Sequence, residues 1–128
     1  MEMNLQMTVD QAMDKDVRES RDLEASLLVR AALMLKDCQE RWSGEGHETR
    51  LDDALRFNQR LWTLFQAELA SEENLLPSEL RNNLLNLSRF VDRRTFETFA
   101  DPAAEKLGVL ININRNIAEG LAGEAAPV

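Results

Sequence analysis

Apolar side chains recur three and four residues apart in four runs, separated by short breaks, so the pattern reads as four amphipathic helices. The first run starts from a candidate cap at Ser20 and carries Leu23, Leu27, Ala31, Met34, Leu35, Cys38 and Trp42 on one stripe, with Arg21, Asp22, Arg30, Lys36, Asp37 and Arg41 mostly opposite. Ser43-Gly44-Glu45-Gly46-His47 stops it, because two closely spaced glycines make a helix costly by about 1 kcal/mol each. The second run, over about residues 49–70 with Thr49 and Asp52 at its start, places Leu51, Ala54, Leu55, Asn58, Leu61, Trp62, Phe65 and Leu69 on one stripe. Ser71-Glu72-Glu73-Asn74 breaks that pattern, and Pro77, with its fixed φ and no N–H, suits the first turn of a third helix. That helix shows Leu80, Leu84, Leu87 and Val91, widened by Leu85, Phe90, Phe96 and Phe99.

Asp101-Pro102 interrupts the third run, since the residue before a proline is pushed out of the helical region. The fourth carries Leu107, Leu110, Ile111, Ile117 and Leu121 on one side and Val109 and Ile113 on another, with Gly120 and Gly123 expected to end it. Residues 1–17 are weakly patterned and read as a loosely ordered N-terminal arm, residues 18–122 as one four-helix domain, and residues 123–128 as a tail. Short connections make the simplest arrangement an all-α, mostly antiparallel four-helix bundle.

Composition agrees with this. A chain of 128 residues supports one core that buries about two thirds of its unfolded surface, and the absence of tyrosine with five glycines and three prolines argues against a turn-rich β fold. The longest apolar runs fall far short of about 18 residues, so no membrane insertion is expected, and the N-terminus lacks the basic-then-apolar order of a secretory signal. A cytoplasmic protein is the expectation. The net charge of −8 opposes nucleic acid on average, and the patch of Arg89, Arg93 and Arg94 is diluted by Asp92 and Glu97, so direct nucleic-acid binding is not expected.

Candidate chemistry is sparse. Cys38 is the single cysteine and His47 the single histidine, which leaves no ligand set for a metal; His47 reads as an exposed loop residue and Cys38 as core. Asp52 and Asp53 diverge by about 100° on a helix, and no glycine-rich phosphate loop is present. The expectation is a protein that is not an enzyme, with no cofactor and no metal. What stands out is apolar surface beyond one stripe per helix: Phe57 and Leu64, Phe90, Val109 and Ile113 suggest a groove able to take an amphipathic helix. Asn58, in an otherwise apolar stripe, and Asn114 are expected to form a buried hydrogen-bonding tie from facing positions.

Asn58, Leu61-Trp62, Asn74, Leu76-Pro77, Leu80-Arg81 and Asn83, followed by Phe90-Val91 and by Leu110-Ile111-Asn112-Ile113-Asn114-Arg115-Asn116-Ile117, closely resemble the flagellar biosynthesis regulator FlaF family of alphaproteobacteria, over about residues 17–121. The resemblance implies a cytosolic assembly factor that promotes flagellin synthesis and export, opposite in effect to the translational repressor FlbT, and consistent with a chaperone that binds flagellin. Flagellin ends are amphipathic helices that polymerise if left free. On this basis Leu61, Trp62, Phe65, Leu76, Leu84, Phe90, Ile113 and Ile117 are candidate lining residues for a flagellin terminal helix. The alternative is an adaptor or post-transcriptional regulator acting through FlbT or flagellin mRNA.

Overall fold

The computed structural model describes the backbone of residues 2–125 and the side chains of residues 15–123. Its elements are α1 (Glu2–Glu40), α2 (His47–Ala70), α3 (Ser78–Ala100), a 3₁₀ turn (Ala104–Lys106) and α4 (Leu107–Ala125). The short turns reverse the chain at each step. Gln39 near the end of α1 donates to the carbonyl of Ala104, just before α4, at 3.2 Å, so α1 and α4 run antiparallel. α1 packs along α4 and α2, α3 packs on α2, and α3 barely meets α4. The result is a bundle that is closed on three sides and loose on the fourth.

α2 follows its pattern residue for residue: Leu51, Ala54, Leu55, Asn58, Leu61, Trp62, Phe65 and Leu69 are its buried positions. Its start differs from expectation. The residue before it is Gly46 at φ 76°, a left-handed conformation that only glycine adopts cheaply, and Thr49 is exposed. Arg50 ties the turn by donating to the carbonyls of Glu45 and Arg41, the latter at 2.9 Å. His47, expected to be exposed, is half-buried as the first residue of α2, with its ring 4.3 Å from that of Trp42.

α1 extends far ahead of Ser20 because no glycine or proline precedes residue 43 to stop it, and the Ser20 hydroxyl donates to Glu24 one turn on instead of capping a backbone N–H. It takes in most of the stretch read as an arm; side chains before Lys15 lie outside the described residues, as do residues 126–128 of the expected tail. Its buried stripe is Ala25, Leu28, Ala31, Ala32, Leu35 and Cys38, whereas Leu23 is exposed. Alanines at three of these positions let α1 approach its neighbours closely. α4 continues through Gly120 and Gly123 without a break, as two isolated glycines lower helix stability without forbidding it.

The largest departure is in α3. Its buried residues are Ser88, Val91, Thr95 and Thr98, while Leu80 and Phe99 are exposed and Phe96 more so. Hydroxyls can line this contact because each is satisfied within its own helix: Ser88 donates to Leu85 O at 2.6 Å, Thr95 to Val91 O at 2.7 Å and Thr98 to Arg94 O at 2.7 Å. With its small residues turned inward, α3 keeps its large apolar ones for the surface or its margins.

Candidate partner-binding cleft

At the end of the bundle where α2 gives way to α3, the connecting turn is held by one asparagine. Asn74 Oδ1 accepts from the Leu76 N–H at 3.0 Å, and Asn74 Nδ2 donates to the Glu68 carbonyl at 3.0 Å. The clamp satisfies a carbonyl at the end of α2 and directs Leu76 toward the bundle. Leu75, its neighbour, is 97% exposed. Pro77 then starts α3, and from Ser78 to Leu87 that helix contains no fully buried residue. The first half of α3 is therefore only partly covered, with Leu87 packed against the edge of the core.

The space left is a cleft of about 130 Å³ lined by Trp62, Phe65, Glu68 and Leu69 of α2, Asn74 and Leu76 of the turn, Leu84 of α3, Ile117 and Leu121 of α4, and Glu24 of α1. Trp62 and Phe65 meet edge to face, centroids 5.6 Å apart. The indole orientation is keyed from below. Trp62 Nε1 donates to Asn114 Oδ1 at 2.9 Å, and Asn114 Nδ2 donates to Asn58 Oδ1 at 2.7 Å, all three residues being buried. An indole N–H can only donate, so it turns the Asn114 oxygen toward itself and leaves the Asn114 amide for Asn58. Asn58 Nδ2 has no partner among the described residues.

Trp62, Phe65, Leu76, Leu84 and Ile117, named as lining candidates from the sequence, thus converge on one cleft. Leu61 is buried in the core instead, Ile113 is half-buried against it, and Phe90 lies half-buried beneath the guanidinium groups of Arg93 and Arg94, at 5.8 and 5.6 Å. The remaining surplus is dispersed: Phe57 and Val109 pack on the core margin, Phe57 under Arg30 at 5.1 Å, and Leu64 projects into solvent. Sequence periodicity did not single out Glu24 or Glu68. A polar residue at the edge of an apolar stripe has no signature until its neighbours on other helices are known.

Glu24 titrates above the usual carboxylate range, first because burial disfavours its charge and second because Glu68 repels it; the Ser20 hydroxyl and Arg21 pull the other way. A carboxyl whose folded pKa is raised binds its proton more tightly in the folded state, so stability falls as pH rises through that raised value and is unaffected well below 4.5. Glu24→Gln is accordingly expected to raise the melting temperature at neutral pH, the gain shrinking as pH falls toward 4; thermal scans across pH check this, and a gain independent of pH would refute it.

Among the described residues no group of three histidine, cysteine or acidic side chains is placed to hold a metal ion, and no helix is long and apolar enough to cross a membrane. Cys38 is buried, and burial pushes its thiol pKa up. A family model described as flagellar protein FlaF matches residues 7–121, reaching into the stretch read as an arm. No curated protein and no solved structure matches the chain.

Proposed function

Since the chain belongs to the FlaF family of flagellar proteins, we propose that it is a non-enzymatic cytoplasmic factor that promotes flagellin synthesis and export by holding a flagellin terminal helix in the cleft beside Trp62. The observation that carries this reading is the uncovered apolar side of α3: from Ser78 to Leu87 it buries nothing fully, yet Leu84 faces Trp62, Phe65 and Ile117 across open space. An amphipathic helix laid there covers Leu76 and Leu84, adds the missing side of the bundle and removes its own apolar face from water. Masking that face keeps a subunit from polymerising before export.

The cleft offers no nucleophile with a base, so its chemistry is that of binding. Calorimetric titration of the full chain with separate peptides from the two ends of flagellin tests the reading. One end is expected to bind in a saturable one-to-one complex and to gain helical circular dichroism. Failure of both peptides and of intact flagellin to bind would overturn it, and recovery of flagellin only when FlbT is present would move the role to that of an adaptor.

A further inference from the structure

The rim of the cleft carries two carboxylates that repel one another. Glu24 comes from α1 and Glu68 from α2. Glu24 accepts from the Ser20 hydroxyl at 3.1 Å and feels the positive charge of Arg21, but both effects are smaller than those of its burial and of the repulsion from Glu68, which is itself exposed. Asp37, Asp52 and Glu97 each meet an arginine three or four residues away, at 3.3, 2.9 and 3.8 Å. At the cleft, two like charges repel one another across a lining that includes Trp62 and Phe65.

The cleft is also small. Its volume of about 130 Å³ is close to the roughly 150 Å³ cavity that accepts one benzene-sized group, so it seats one large apolar side chain rather than a row of them. Further apolar contacts can follow on the open lip, where Leu75 and Leu80 are exposed. On a helix the residues sharing a side with such an anchor are those three or four positions away.

We infer that the helix bound in this cleft is recognised by a pair of features, one large apolar anchor that enters between Trp62, Leu76 and Leu84, and a lysine or arginine three or four residues from it that docks between Glu24 and Glu68. This rests on the reading of the cleft as a flagellin-helix site and adds what selects the segment. A cation there removes the repulsion between the two carboxylates and is partly shielded from water by the helix itself, which makes it worth more than an exposed ion pair. An apolar helix without that cation removes water from both acids without adding a partner, so the same two residues reject the wrong segment.

The test uses the full chain, the flagellin terminal peptide that binds it, and copies of that peptide with each lysine or arginine changed singly to glutamine. Glu24→Gln/Glu68→Gln, which removes charge without removing shape, is expected to bind the unaltered peptide about tenfold more weakly and with a shallower salt dependence. One peptide substitution is expected to cause the same loss in the natural chain and no added loss in the double variant. Glu24→Lys/Glu68→Lys is expected to recover affinity for the peptide carrying glutamate at that position. Undiminished binding by Glu24→Gln/Glu68→Gln, with binding still lost on polar replacement of Leu84, overturns the inference and leaves the flagellin-helix reading intact. Binding indifferent to Leu84 as well overturns both.

Discussion

Asn114→Ala is expected to lower the unfolding free energy by about 3 kcal/mol, measured by urea denaturation followed by far-ultraviolet circular dichroism. The substitution removes both bonds that link Trp62 to Asn58 through Asn114 and leaves an indole N–H and an amide oxygen buried without partners. Each orphaned group costs about 1–3 kcal/mol, and shortening the side chain adds a void. Asn58→Leu should cost less, about 1 kcal/mol: it orphans the Asn114 amide but also removes Asn58 Nδ2, which is already buried and unpartnered. The ordering is the sharper measurement. Equal losses from the two substitutions, or none from Asn114→Ala, would show that the chain from Trp62 to Asn58 does not support the cleft floor.

Leu84→Asn is expected to weaken flagellin binding by about 100-fold while lowering stability by less than about 1 kcal/mol. Leucine and asparagine have similar branching, so the change inserts an amide where the bound helix would press an apolar anchor, and that amide would lose its water without gaining a partner. Stability should change little because Leu84 lies on the half of α3 that buries no residue fully in the free protein. Leu64→Asn is the control, since Leu64 is 62% exposed and lies outside the cleft; its binding should match that of the natural chain. Calorimetric titration of both variants, with thermal melts alongside, separates a specific cleft from general stickiness. Parallel loss in the two variants would mean that apolar surface anywhere on the bundle suffices.

The helix pattern was legible where burial follows one stripe. α2 is the clearest case, because it is flanked by α1 and α3 and its buried positions coincide with its apolar spacing. In α3 only Val91 of the apolar pattern is fully buried, for a physical reason: leucines and phenylalanines signal burial by their transfer free energy, but close approach to α2 favours Ser88, Thr95 and Thr98, whose hydroxyls bond to their own helix. The same preference for close approach put Ala25, Ala31 and Ala32 inward on α1, while Leu23 stays in solvent. At the site, Trp62, Phe65, Leu76, Leu84 and Ile117 could be named in advance, whereas Leu61 went to the core and Phe90 to a place beneath two arginines.

Taken alone, the order of residues determined four helices, their approximate breaks at glycine and proline, the stripe of α2 and the presence of asparagines where leucine would be expected, since all of these follow from local spacing and backbone preference. Only the tertiary structure decided that α3 would turn its small residues inward and leave a cleft, that the indole of Trp62 would bond to Asn114, and that Glu24 would meet Glu68 at the rim. These depend on how far apart helices settle and how each is rotated. That balance is struck between side chains distant along the chain, and no local pattern records it.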